Sequence, residues 1–524
     1  MTKMTGGQAL IQSLYREGVR TIFGLPGVHQ YHAVDAIYQE PRIQYISTRH
    51  EQATSFMADA YARVSGEIAV SLVVPGPGLY NAGAGVATAH AVSSPLLVVT
   101  GDHPVANNPS PELQAIEPVT KWTGRASDPS EIPQLVQEAF RQMRQGRPRP
   151  TAIDISPRVL AGVADVVLLE PASMRQPQAD MAAIQAAANL LAQAKQPVIW
   201  AGAGVVPAKA SALVQQLAEH LQAPVITSRQ GKGIISSRHP LCLQMGEMRY
   251  QPLKDWFETC DVVLAIGTSR HFDTTGQTII KIDIEQAETA SGDTFISIES
   301  DAGQALESLL TTLATMSDVR PNKEDDIVAQ VAAINAHRFD PAKQLQPQWD
   351  FMQAIRTAMP DDGILVQGMN QMGYYSRNYF PVYTPGTYLT ASNHSTLGSA
   401  FPLALGAKVA KPDQAVVALS GDGGFLYNSQ ELATAVKYSI NVVIIVFNDN
   451  AYGNVLRAQI EDFDEHVIGT ELHNPDFVKL AEIYGARGVR ANDAEALEAA
   501  LRQAINIAAP TLIEVPVGKM DRVF

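Results

Sequence analysis

The stretch Ala415–Asn450, AVVALSGDGGFLYNSQELATAVKYSINVVIIVFNDN, decides the fold. Two apolar runs rich in valine and isoleucine, Ala415–Ser420 and Val442–Phe447, flank a helical pattern at Asn428–Ser439. A strand, one crossover helix and a second strand imply a parallel pair. Asp422 and Asp449 then sit at the carboxyl ends of adjacent strands, the edge where open parallel sheets bind ligands. The glycines flanking Asp422 let backbone approach a bulky anion, and the helix that follows offers free N–H groups to a phosphate. Neighbouring carboxylates repel each other unless a cation lies between them. Oxygen donors without His or Cys favour Mg²⁺ or Ca²⁺, and Mg²⁺ commonly takes one or two carboxylates together with phosphate oxygens. A diphosphate clamped through Mg²⁺ is the direct physical reading; two ordinary turn aspartates are the bland one.

Working outward, the same alternation recurs along the chain and predicts an α/β protein of three parallel-sheet units. The first has strand-like runs at Thr21–Gly24, Ile43–Ser47, Ile68–Val74 and Leu96–Thr100, with a helix expected over Glu51–Ala62. The second has runs at Pro197–Trp200, Val262–Ile266 and Ile279–Ile284; the third adds Gly363–Gln367 and Leu512–Val515. Pro/Gln-rich stretches at Glu170–Gln178 and Pro341–Gln348 read as linkers. The expected units are residues 1–169, 183–318 and 345–524, and two of the three look like copies of one layout. Three domains also suit a length of 524 residues.

Composition narrows the function. A net charge of −14 repels a phosphate backbone and argues against nucleic acid as a partner. No run of about 18 apolar residues could span a membrane, and MTKMTGGQAL lacks the apolar core of a signal peptide. Cys242 and Cys260 fit neither a zinc site nor a redox pair, so a cytoplasmic protein with buried thiols is expected.

GDG followed 27 positions later by Asp449 in an Asn-rich turn resembles the signature of the thiamine-diphosphate-dependent decarboxylase and acetolactate-synthase superfamily. FGLPG (Phe23–Gly27), RHEQATSFMADAYAR (Arg49–Arg63), GKG with HPL (Gly231–Gly233, His239–Leu241) and NPDFVKLAEIYGA (Asn474–Ala486) carry the resemblance along nearly the whole chain. It implies an N-terminal pyrimidine-binding domain, a central Rossmann-like domain and a C-terminal diphosphate-binding domain. It also implies thiamine diphosphate and Mg²⁺ as cofactors. Asp422, Asp449 and the Ala451 carbonyl would hold the metal, with aspartate at 449 where the family usually has asparagine. Cofactor contacts would come from Pro26, Asn370, Leu397, Gly423, Gly424, Phe425, Tyr452 and Gly453, in addition to Glu51. Leu397 would prop the bent cofactor, although a core leucine explains that position equally well. Asn370 departs from the family's common histidine.

In such enzymes the residue matching Glu51 bonds the aminopyrimidine N1′, and a carboxyl buried against that ring should have a raised pKa. The bland alternative is a carboxylate favoured by a helix start. His29, in PGVHQ, resembles the placement of an active-site histidine in benzaldehyde lyase. Gln114 and His394 are further candidates. The family layout implies active sites shared between chains, hence a homodimer or homotetramer.

The leading expectation is an acetolactate-synthase-like carboligase or lyase acting on a small 2-oxo acid or 2-hydroxyketone. A non-oxidative 2-oxo acid decarboxylase is the alternative. Pyruvate-decarboxylase relatives carry a glutamate where this chain has Val455, which disfavours simple pyruvate decarboxylation. TSRHFDTTGQ (Thr268–Gln277) is altered from the flavin-binding pattern of acetolactate synthases, so FAD is doubtful. GAG at Gly202–Gly204 is an incomplete dinucleotide fingerprint, so a nicotinamide dehydrogenase ranks lower. A binding protein with a dead site is disfavoured by the intact Glu51, Asp422 and Asp449.

Overall fold

The computed structural model describes residues 1–101, 111–174, 177–272, 276–285, 295–316, 324–391 and 393–523. It contains three six-stranded parallel sheets flanked by helices. In the N-terminal sheet the spatial order is Gln44–Ser47, Thr21–Gly24, Ala69–Leu72, Leu96–Thr100, Thr151–Ile155, Trp122–Ala126. In the C-terminal sheet it is Tyr388–Thr390, Ile364–Gln367, Val416–Gly421, Val443–Asn448, Thr511–Pro516, Arg487–Arg490. Counted within each unit, both orders are 2-1-3-4-6-5, which explains the likeness of layout visible in the sequence. The central sheet runs 3-2-1-4-5-6, with Pro197–Ala201 beside Val262–Ile266 at its midline. The near-continuous apolar runs follow from helices on both faces: Val416–Ser420 and Val443–Phe447 are buried throughout.

The helix Glu51–Ser65 lies against Ala400–Ala410, so the N- and C-terminal units share a core that includes Phe56, Met57, Phe401, Leu403 and Phe425. The approach is close because the contact residues are small; a Cβ at Gly406 would strike the backbone of Met57. The central unit has a core of its own around Trp200, Leu264 and Leu306. Arg63 ties all three units together, donating to Gln230 Oε1 (2.8 Å) and to Thr390 O (3.3 Å).

The sequence reading missed the strands Trp122–Ala126, Thr151–Ile155, Val225–Thr227, Cys242–Met245, Phe295–Glu299, Tyr388–Thr390 and Arg487–Arg490, and two further features depart from it. The crossover expected as one helix over Asn428–Ser439 is broken into a turn of helix at Asp422–Phe425, a 3₁₀ turn at Ser429–Glu431 and a helix at Leu432–Lys437. Asn428 leaves helical geometry (φ −135°, ψ 22°), and its side-chain amide bonds Gly398 O and Gln52 Oε1 instead. A two-stranded antiparallel ribbon, Thr2–Thr5 with Val163–Val166, was not anticipated. Both cysteines are free and buried, as expected. Among the described residues no helix is long and apolar enough to cross a membrane.

Candidate active site

The carboxyl edge of the C-terminal sheet gathers most of the candidate residues. Asp422 follows Val416–Gly421 and is buried; Asp449 follows Val443–Asn448 and is half-buried. They stand at the ends of adjacent parallel strands, and burial is the first cause pushing each carboxyl above its ordinary range. Repulsion from Asp422 raises Asp449 further. Two neighbouring oxygen donors of this kind have the chemistry to hold a hard divalent cation. Asn474 completes the cluster, its Nδ2 donating to Asp422 Oδ2 (2.6 Å), Asn448 Oδ1 (3.0 Å) and Asn450 Oδ1 (3.3 Å). Its own Oδ1 is buried without a partner. Sequence reasoning noted Asn474 only as part of a motif; its distance of 52 residues from Asp422 hid the contact.

The turn after Asp449 is shaped by small residues. Asn450 takes a left-handed conformation (φ 55°), and Ala451 is buried and paired with Glu471. A Cβ at Gly453 would run into Asp449 Oδ2, and one at Gly423 would stand 2.5 Å from the Tyr452 ring. Leu397 is half-buried against Gly424, whose Cβ would lie 3.2 Å from Leu397 Cδ1. At these glycines neighbouring atoms already occupy the place of a Cβ, so the backbone packs closely beside the two carboxyls. Phe425 turns its ring into the shared core, 5.6 Å from Phe401 and 5.9 Å from Phe477. Asn370 caps the helix Gln371–Tyr379: its Oδ1 accepts from Gly373 N (2.9 Å) and its Nδ2 donates to Leu419 O (3.1 Å). Both ends of that amide are thus engaged next to the strand leading to Asp422. Val455 is exposed on the helix Gly453–Asp462.

The N-terminal sheet presents a second edge. Glu51 opens the helix Glu51–Ser65 with His50 as N-cap, and its Oε2 accepts from Asn81 Nδ2 (3.1 Å). A Cβ at Gly78 would lie 3.3 Å from Glu51 Oε1 and 2.6 Å from Val74, a side chain that also packs on Gly27. The Pro26–His29 loop is thereby brought to the Glu51 side, with Pro26 exposed and His29 half-buried. Gln114, on the short helix Pro111–Ile116, and His394 are exposed.

The turn carrying Glu51 is fastened by the other unit. Ser47 N donates to Tyr438 Oη (2.9 Å), Arg49 N and His50 N donate to the Glu431 carboxylate, and Asn428 Nδ2 donates to Gln52 Oε1 (3.0 Å). Burial pushes the Glu431 carboxyl up to about 7, against hydrogen bonds from Thr434, Arg49 and His50 that lower it. No sequence motif pointed to Glu431.

In the central unit the GAG turn is accounted for by backbone packing. Gly204 N donates to Gly267 O (3.0 Å), and a Cβ at Gly204 would stand 2.9 Å from Gly267 Cα. Arg270 lies over Trp200, 4.4 Å from the ring centroid. Part of the segment weighed for FAD, residues 273–275, lies outside the described residues.

Comparison with known proteins bears on the family of the whole chain. The chain matches the N-terminal TPP-binding domain of thiamine pyrophosphate enzymes over residues 4–122, their central domain over 184–309 and their C-terminal TPP-binding domain over 368–515. It is 35% identical to a probable acetolactate synthase large subunit of Methanocaldococcus jannaschii, over 99% of this chain and 93% of that protein. It is 32% identical to a probable 2-ketoarginine decarboxylase of Pseudomonas aeruginosa, over 98% and 94%. The acetolactate synthase isozyme 1 large subunit of Escherichia coli is 28% identical, over 100% and 95%.

Proposed function

The chain belongs to the thiamine-pyrophosphate-dependent, acetolactate-synthase-like enzymes, and from that premise we propose a carboligase that takes a small 2-oxo acid as donor. The bound cofactor supplies an electron sink next to the donor carbonyl. The observation that carries the site assignment is the pair Asp422 and Asp449 at the carboxyl ends of adjacent parallel strands, among closely packed glycines. Asp422, Asp449 and the Ala451 carbonyl would hold Mg²⁺, and the metal would anchor the diphosphate. Gly423, Gly424, Phe425, Tyr452 and Gly453 would contact the diphosphate side, Leu397 would support the thiazolium, and Asn370 would order the adjoining loop. Glu51 would hold or move the proton at the aminopyrimidine nitrogen, with Pro26 beside the ring. His29 is the first candidate to exchange a proton with substrate and Gln114 the second. We assign no part to FAD.

The same reading divides the chain at 1–169, 183–318 and 345–524; each span contains one six-stranded sheet, which supports the division. It also makes the enzyme a homodimer or homotetramer, with Glu51 serving a partner's diphosphate site. Tyr80 and Tyr427, next to these edges and about half exposed (58% and 49%), are consistent with cover by a second copy.

A decarboxylase is the second reading, favoured by the 2-ketoarginine decarboxylase relative. Calorimetric titration with thiamine diphosphate, with and without Mg²⁺, followed by product analysis on pyruvate, tests the proposal. Magnesium-dependent binding with acetolactate or acetoin formed supports it. Free aldehyde as the product selects the decarboxylase, and no binding refutes the site.

A further inference from the structure

Glu431 lies in the C-terminal unit, nine residues beyond Asp422, yet most of its bonds reach the N-terminal unit. Its side chain is fully buried. Both carboxylate oxygens accept from Arg49 N (3.0 and 3.1 Å), Oε1 also accepts from His50 N (3.0 Å), and Oε2 accepts from Thr434 Oγ1 (2.6 Å). The two backbone N–H groups are those immediately before Glu51. On the other side, Gln52 is held by Asn428, which also donates to Gly398 O (2.9 Å). One segment, 428–431, therefore grips the chain both before and after the acid.

A buried carboxylate is a costly way to fasten a turn, because desolvation opposes its charge. A neutral amide could still accept from both N–H groups through one oxygen, but it would turn its NH2 group toward the Arg49 N–H and the Thr434 hydroxyl that Oε2 now accepts from. A carboxylate accepts all four bonds at once. Fixing the backbone at Arg49 and His50 sets the direction in which the Glu51 side chain leaves the helix start.

We propose that Glu431 is a positioning residue for Glu51, locking the Arg49–His50 turn so that the acid is held at a fixed place and angle for proton transfer. The inference rests on the reading of Glu51 as the acid at the cofactor ring. It gives the short, broken crossover after the GDG motif a role beyond joining two strands: the segment that leads from the metal ligand also orients the acid.

The test compares Glu431→Gln, Thr434→Val and Glu51→Gln with the wild-type holoenzyme. Four quantities are read: melting temperature, cofactor affinity in the presence of Mg²⁺, kcat with KM, and hydrogen–deuterium exchange at C2 of bound thiamine diphosphate. Glu431→Gln is expected to bind cofactor within about threefold of wild type and to keep KM. Its exchange rate and kcat should fall together by about 10- to 100-fold, the scale of a misplacement near 1 Å. Thr434→Val, which removes only the hydroxyl donor, should fall severalfold. Wild-type exchange in Glu431→Gln, or a fall in exchange no larger than the fall in cofactor affinity, overturns the proposal. If Glu431→Gln does not fold, Thr434→Val decides: slowed exchange at unchanged affinity supports the proposal and unchanged exchange overturns it. Wild-type exchange in Glu51→Gln identifies the underlying reading of Glu51 as the error.

Discussion

The N- and C-terminal sheets share one strand order and differ in what their carboxyl edges carry. The C-terminal edge concentrates charge: two carboxyls follow adjacent strands, an asparagine donates to one of them, and glycines let the backbone pack closely alongside. The N-terminal edge carries one acid with one amide partner, and its geometry is borrowed from Glu431, Asn428 and Tyr438 of the other unit. A common backbone thus carries two different edges. On the proposed reading, the paired carboxyls would hold a cation and the single clamped acid would move a proton.

This contrast predicts different responses to substitution at the two edges. The largest effect is expected at the N-terminal edge: Glu51→Gln should lower turnover by about 10²- to 10⁴-fold, the range of general acid–base catalysis, while calorimetry finds cofactor affinity nearly unchanged. Retained turnover would remove the acid from its assigned role. At the C-terminal edge, Asp422→Ala should weaken Mg²⁺-dependent cofactor binding by more than about 100-fold, since even second-layer partners of a metal cost 10- to 100-fold. Magnesium-independent binding of equal strength would break the comparison. Asn474→Ala, which leaves both carboxyls in place, should weaken the same binding by about 10- to 100-fold and shift the magnesium titration rather than KM for the 2-oxo acid.

The smallest effect concerns the clamp from the central unit. Lys232 is buried and donates to Ser376 O (3.3 Å) and Arg377 O (2.8 Å), and burial lowers its pKa to about 7. The unfolded chain holds that proton up to the ordinary lysine value, 10.5. Between these values the unfolded state binds more protons, so stability should rise as pH increases through about 7. Melting curves across that range should steepen this trend in the wild type and flatten it in Lys232→Met. An equal slope in both proteins would assign it to other groups.

Much of this was legible along the chain. The strand at Val262–Ile266 was placed residue for residue, and the helix starting at Glu51 began where expected, because apolar runs and helix starts are local signals. The Asp422 and Asp449 edge was legible for the same reason: each follows its strand directly. Asn474 and Glu431 were not, since their significance lies in contacts 52 and more than 380 residues away. The broken crossover escaped notice because Asn428 and Glu431 give up helical geometry or exposure for bonds to the other unit. GAG in the central unit looked like a fragment of a nucleotide fingerprint, but its glycines are required by the approach of Gly267.

By itself, the sequence determined the class of fold, the order of the three units, the cofactor family and the place of two carboxyls at the end of adjacent strands, because periodicity and short motifs are encoded within a few residues. Tertiary structure alone decided that the first and third sheets share a strand order and a core, that Asn474 faces Asp422, and that the turn bearing Glu51 hangs on Glu431. Those are distances through space between groups remote in the chain, and they exist only once burial has brought the units into contact.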